Sequence, residues 1–212
     1  MKNESLKDAI YSAILEDIFS MEYRPGAILN EKSLVEKYNC SKSPVREALI
    51  TLCNENVLRN IPRYGYEVVR LTMDDVSEML QFRYILEGGM LSERHDRITD
   101  AQLERLEAID AKCRIENTDV WKHWEYNTEF HLKLIGFCGS NYALEELTRC
   151  MARLKRAYAQ FYWDKWNQGF LPTDTRHHAQ ILDFLRKRDI EQVLHYLKDD
   201  LSDFGGLEQV WF

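Results

Sequence analysis

No apolar run in this 212-residue sequence approaches the ~20 residues that a helix needs to cross a bilayer. The opening stretch, MKNESLKDAI, contains acids and lacks the basic-then-apolar order of a secretory leader. A cytoplasmic chain with no membrane partner is therefore expected. Cysteine gives the same answer. There are five (Cys40, Cys53, Cys113, Cys138 and Cys150), an odd number with no C-x-x-C spacing. They read mostly as small buried hydrophobes in a reducing compartment, and a structural zinc built on cysteine is not expected. Internal repeats, low-complexity linkers and a phosphate-binding glycine loop are missing too. What remains is an apolar fraction of 45%, ordinary for a globular protein with a core. The length suits one large domain or two modest ones.

The net charge of −7 is unevenly spread. Residues 1–72 carry 10 Lys/Arg against 10 Asp/Glu, so the whole surplus of acid lies beyond them. Inside that first part, residues 24–70 hold 8 basic and 5 acidic residues. A locally basic segment joined to an acidic body suits nucleic acid better than a membrane surface.

The local pattern sharpens this. Leu6, Ile10, Ile14 and Ile18 recur every four residues and predict an amphipathic helix over 5–21, which Pro25 and Gly26 end. Asn30 is the expected N-cap of a short helix through Tyr38, with Leu34 and Val35 inside. A third helix places Val45, Ala48, Leu49 and Leu52 on one face, with Ser41 or Ser43 as its cap and Pro44 in its first turn. Proline is harmless there, because the first four N–H groups of a helix have no internal partner. With the apolar stripe turned inward, Lys42, Ser43 and Arg46 gather at the exposed helix start, where free N–H groups and the helix dipole favour an anion. The β-prone runs VLRNI and YEVVRL, separated by PRYG, predict a hairpin. Three helices and a hairpin make a winged helix-turn-helix, whose third helix enters the major groove of DNA. From Thr72 onward no strand is expected. Capping-box spacing at TMDD (72–75) and TDAQ (99–102) and further helices near 119–137, 141–166, 175–187 and 189–203 predict an all-α bundle of about six helices. The expected fold is mainly α, with a winged helix-turn-helix over 1–72 and a helical domain over 73–212.

The segment RPGAILNEKSLVEKYNCSKSPVREALITLCNENVLRNIPRYGYEV resembles the DNA-binding part of the GntR family of bacterial transcription regulators. Further on, FRYILEGGML, NTEFHLKLIGFCGSN and HHAQILDFLRKRDIEQV are similar to the FCD effector domain of that family's FadR-like branch. The resemblance implies a homodimer that binds a palindromic double-stranded operator, with a small organic acid as effector. It implies DNA contacts at Lys32, Ser41, Lys42, Ser43, Arg46 and Gly65. The family usually has arginine where this chain has Lys42, and lysine lacks the two-pronged fork that reads guanine. Arg46 keeps that fork and is the expected base reader.

In the acidic part, Val76, Leu80, Arg83, Glu87, Met90 and Leu91 follow helical spacing, so Arg83 and Glu87 interrupt an apolar stripe. Two readings stand: an i,i+4 ion pair at the stripe's edge, or Arg83 turned inward to hold a carboxylate ligand with its planar fork. The FCD resemblance also implies a metal site, which one large subgroup builds from an aspartate and three histidines. Those positions fall on Asn127, His131, His178 and Asp200. Here Asp becomes Asn at 127 and His becomes Asp at 200, so one carboxylate remains and two nitrogen donors replace three. Such a set suits a divalent metal (zinc, nickel, manganese or ferrous iron) without choosing among them. The alternative is a decayed site whose polar residues contact the effector directly or through water. His123, His177 and His195 are expected at the surface. The aromatic stretch RAYAQFYWDKW (156–166) reads as core or dimer interface, with Tyr158 and Tyr162 as lesser candidates for lining a pocket. A metal-dependent enzyme acting on a small organic acid is the rival function, but no general base or nucleophile stands beside the site to support it.

Overall fold

The computed structural model describes residues 5–114, 120–166 and 175–204, the side chains of residues 165 and 166 excepted. The chain forms two compact units, Met1–Thr72 together with Ala159–Trp163, and Met73–Tyr158 with Asp164–Phe212.

The first unit runs α1 (Leu6–Phe19), β1 (Ile28–Leu29), α2 (Glu31–Lys37), α3 (Lys42–Asn54), β2 (Leu58–Ile61) and β3 (Gly65–Val68). Side chains start two of its helices: Ser5 accepts the Asp8 N–H, and Asn30 accepts the Lys32 N–H at 2.8 Å. Ile10, Ile14 and Ile18 are buried as the four-residue spacing predicts, whereas Leu6, in the first turn of α1, is exposed. The turn between α2 and α3 passes through Asn39 at φ 47°, a left-handed conformation that asparagine tolerates better than most residues. Val45, Ala48, Leu49 and Leu52 carry the inner face of α3 into the core. Burying each of the larger three side chains is worth about 1.5–3 kcal/mol, so rotating the helix outward is strongly disfavoured.

Three antiparallel strands form the wing, in the order β1-β3-β2. The predicted hairpin forms, pairing Leu58 with Val68 and Ile61 with Gly65, so that Gly65, expected in the turn, opens β3. Strand β1, which pairs Ile28 with Glu67 and Leu29 with Tyr66, is not predicted, because two residues are too few to show alternation. Gly65 has φ +134°, and a Cβ there would fall on the carbonyl oxygen of Leu29. This glycine is therefore required by the approach of β1 and by its own backbone, whatever else it touches.

Among its described residues the second unit is built of helices: α4 (Met73–Arg94), a 3-10 turn (His95–Arg97), α5 (Asp100–Cys113), α6 (Val120–Phe137), α7 (Asn141–Trp166), α8 (His178–Arg186) and α9 (Ile190–Ser202). The Thr99/Gln102 capping box that starts α5 is formed in both directions. Helix α8 begins three residues later than the sequence predicts, after a turn at 175–177. All five cysteines are free thiols; Cys113, Cys138 and Cys150 are buried, and Cys40 and Cys53 are half-buried. Among the described residues no helix is long and apolar enough to cross a membrane.

Candidate functional site

Ser41 is the N-cap residue of α3, and its side chain makes no capping hydrogen bond. Ser43 lies inside the first turn, where its hydroxyl donates to Glu47 at 3.0 Å. Pro44 is the third helical residue, within the stretch where its missing N–H costs nothing. The inner stripe leaves Lys42, Ser43 and Arg46 on the outer side, with the Arg46 side chain 52% exposed. One carboxylate gathers several of these groups. Glu31, the first residue of α2, accepts Arg46 Nε on Oε1 and Arg46 Nη2 on Oε2, both at 3.1 Å. Lys42 Nζ lies 3.5 Å from Glu31 Oε2, and the Tyr66 hydroxyl of β3 donates to Oε1 at 3.2 Å. The Arg46 hydrogen bond, outweighing the upward push of partial burial, holds the Glu31 pKa below its ordinary value. Lys32 projects away, 87% exposed, with Glu36 as a distant i,i+4 neighbour at 4.0 Å. The wing tip adds two residues that the sequence reading did not single out, Arg63 and Tyr64, both exposed. Their signal was the PRYG turn itself, which places a cation and a ring between its proline and its glycine.

The second unit holds a chain of buried charges. Arg83 and Glu87 of α4 are both buried, so the pair lies inside the stripe rather than at its edge. Arg83 Nε donates to Glu87 Oε1 at 2.8 Å, and His131 Nδ1 of α6 meets Glu87 Oε2 at 2.7 Å. The other ring nitrogen, His131 Nε2, lies 3.2 Å from Asp200 Oδ2 of α9. His178 of α8 approaches the same oxygen with Nε2 at 3.8 Å, and its Nδ1 lies 3.5 Å from Asp110 Oδ1 of α5. Asp110 is itself bonded to Arg114. Phe130 stacks on the His178 ring with centroids 3.7 Å apart and planes within 9°, which fixes how that imidazole faces.

Burial favours a neutral Glu87, but Arg83 and then His131 overcome it and hold the Glu87 pKa down to about 2. Burial likewise opposes charge on His131, yet the Glu87 carboxylate and the contact with Asp200 raise its pKa. The chemistry explains why. Both nitrogens of His131 face carboxylates, so a neutral ring would turn a lone pair toward an anion. Three carboxylates (Glu87, Asp110, Asp200) stand against two guanidiniums (Arg83 and the exposed Arg114), and a protonated His131 supplies the third positive charge.

A divalent cation between the imidazoles and Asp200 would take the place of that proton. His131, His178 and Asp200 offer ligand atoms all within 4.8 Å of one another. Asp200 Oδ1 is buried with no hydrogen-bond partner among the described residues. Glu87 and Asp110 back the far nitrogens of the two histidines, the usual outer support for metal-bound imidazole. Asn127 is buried and lines the same small cavity of about 20 Å³, with Arg83, Trp124, His131, Tyr158, Asp200 and Phe204 among its other walls. That space holds an ion or a water but no multi-carbon ligand unless the walls part. Arg83 Nη2 is buried at this wall with no hydrogen-bond partner among the described residues.

Arg83, Glu87, Asn127, His131, His178 and Asp200, all candidates from the sequence, lie in one region of the structure. Asp110 carries no sequence signal, since it reads as an ordinary acid on a helix until α8 packs against α5. His123, expected at the surface, is buried. His177 is half-buried, its ring 5.9 Å from that of Tyr196, while His195 is exposed as expected. Tyr158 lines the cavity; Tyr162 is buried without lining it.

Comparison with known proteins finds two matching families. Residues 6–68 match the bacterial regulatory proteins of the gntR family, and residues 78–203 match the FCD domain. Over 205 residues the chain is 25% identical to the HTH-type transcriptional repressor RspR of Escherichia coli K12, covering 95% of this chain and 88% of that protein. It is also 25% identical over 205 residues to the gluconate operon transcriptional repressor of Bacillus licheniformis, covering 88% and 78%. Among solved structures, E. coli McbR/YncC has a TM-score of 0.73 at 23% identity over 93% of each chain. A putative transcriptional regulator GntR from Rhodococcus sp. RHA1 has a TM-score of 0.66 at 21% identity, covering 93% and 94%. At these identities the structural likeness speaks to the fold.

The buried charge chain yields an expected acid sensitivity. A carboxylate with a depressed folded pKa stabilises the fold fully above its ordinary value of 4.5, and that contribution is lost as pH falls toward about 2. Glu87→Ala leaves Arg83 buried without its carboxylate and is expected to cost roughly 3–5 kcal/mol at neutral pH. Urea melts should show wild type losing more stability than the variant between pH 5 and 2. Equal losses over that interval would contradict the assignment.

Proposed function

The chain belongs to the GntR family of bacterial regulatory proteins and carries an FCD domain, and on that premise we propose how it reads its operator and what its buried site holds. It is a transcription regulator: its relatives are regulators, and the enzyme reading has no support among them. DNA binding belongs to the winged helix-turn-helix, and binding of a small-molecule effector belongs to the FCD domain.

In the proposed mode a homodimer meets a palindromic duplex, because protein symmetry and half-site symmetry must match. The start of α3 enters the major groove. Arg46 reads a base there, Lys42, Ser41 and Ser43 contact phosphate or sugar, Lys32 adds a sequence-independent phosphate contact, and the wing approaches through Gly65 with Arg63 and Tyr64. The observation that supports this most is the outer side of α3, where the packed inner stripe leaves Arg46 facing solvent beside an uncapped helix start. Base-edge and phosphate contacts leave different signatures. Arg46→Ala should lower discrimination between the selected duplex and random DNA by roughly 5- to 150-fold, since one bidentate contact is worth about 1–3 kcal/mol. Lys32→Ala should weaken every duplex alike and flatten the salt dependence by about one phosphate's share. Fluorescence anisotropy across salt checks both, and unchanged discrimination in Arg46→Ala would count against the mode.

The effector in this reading is a small carboxylate, held by the inward Nη2 edge of Arg83 once the walls of the small cavity part to admit it. His131, His178 and Asp200, with Asn127 beside them, would hold a divalent cation, which would supply a Lewis-acidic contact for the same carboxylate. Glu87 orients both Arg83 and His131, so it links the two halves of the site. A ligand switches such a regulator only by binding one arrangement of the dimer better than another. Elemental analysis of natively purified protein should find about one zinc, nickel, manganese or iron per chain, lost in Asp200→Asn. Small carboxylates at a hundred times their Kd should add about 2.7 kcal/mol of stability. Metal-free native protein that no carboxylate stabilises would overturn this part.

A further inference from the structure

Glu31 has no part in the mode just described, yet three groups of the reading head converge on its carboxylate. Arg46 from α3 meets it with two N–H groups at 3.1 Å, Tyr66 from the wing donates to it at 3.2 Å, and Lys42 lies at 3.5 Å. One side chain at the first position of α2 therefore ties α2, α3 and β3 together. A single exposed contact orders its side chains weakly, but a guanidinium held on two parallel bonds is fixed in plane and direction. The relative exposure agrees: the Glu31 side chain is 21% exposed and that of Arg46 is 52% exposed, so the acid sits beneath the base it holds.

The geometry also decides which edge of the fork is left. Glu31 takes the Nε–Nη2 edge of Arg46. The end edge, Nη1 with the second N–H of Nη2, remains, and this is the donor pair that matches O6 and N7 of guanine in the major groove. The same carboxylate works against general attraction to DNA, because it offsets part of the charge of Arg46 and Lys42 and repels phosphate. We propose that Glu31 is the positioning residue of the reading head, giving up general attraction to phosphate in exchange for an Arg46 directed at guanine. The inference rests on Arg46 reading a base, as above.

The two effects have opposite signs, and this separates positioning from a structural role. Selection of the full-length chain on a library of randomised duplexes supplies the probes: the recovered duplex, its single G·C to A·T versions, and a random-sequence duplex. Glu31→Gln should bind the random duplex more tightly than wild type does. Its discrimination should fall about tenfold, at the same guanine whose reading Arg46→Ala abolishes. Glu31→Asp, which keeps the charge, should bind the random duplex as wild type does. Thermal unfolding of each variant accompanies the titrations. Unchanged discrimination in Glu31→Gln, a loss spread evenly over all positions, or parallel weakening on both duplexes would overturn the inference while leaving the Arg46 reading intact. Unchanged discrimination in Arg46→Ala would instead remove the reading on which it rests.

Discussion

The inward stripe of α3 is the constraint on which the reading head depends. Val45, Ala48, Leu49 and Leu52 are fully buried, and their spacing leaves no freedom to rotate the helix. Everything on the outer side follows. Lys42, Ser43 and Arg46 face solvent because the stripe does not. Glu31 reaches Arg46 because Asn30 caps α2 and sets where that helix begins. Gly65 allows β3 to lie close against β1, which brings Tyr66 to the same carboxylate. A handful of apolar contacts thus places a group of polar ones that contribute little to stability themselves.

The second unit inverts this logic. Its polar groups lie inside the bundle, where an unmatched charge is costly. Five helices contribute to the linked cluster around His131: α4 through Arg83 and Glu87, α5 through Asp110, α6 through His131, α8 through His178 and α9 through Asp200. Placing a carboxylate on each far nitrogen of the two histidines is a poor way to build a core, since apolar residues of the same volume would pack without desolvation cost. It is a good way to hold two imidazoles in fixed orientation around one shared carboxylate oxygen, Asp200 Oδ2.

Much of this was legible in the sequence, and the reasons for success and failure are physical. Helix faces follow from periodicity, so α1, α3 and α4 are readable from spacing, and Arg83 with Glu87 stand out because they break the stripe of α4. Asn127, His131, His178 and Asp200 were reached through family resemblance rather than spacing, since they lie on three helices whose packing no local pattern encodes. Asp110 was invisible for the same reason. Strand β1 was too short to show alternation. Leu6 obeys the stripe's spacing and still lies exposed in the first turn of α1, where no described residue covers it. The role of Glu31 was hidden because a glutamate opening a helix is an ordinary partner for the helix dipole, and only tertiary structure brings it under Arg46.

Replacing single atoms of the DNA bases asks directly whether α3 presents Arg46 to the edge of a guanine. In the selected duplex each guanine is replaced in turn by 7-deazaguanine, which removes the N7 acceptor and leaves base pairing intact. Wild-type protein should lose about tenfold in affinity at one guanine per half-site, while Arg46→Ala, already lacking that contact, should be insensitive there. Equal sensitivity of the two proteins at every guanine, or no sensitivity in either, would contradict the claim.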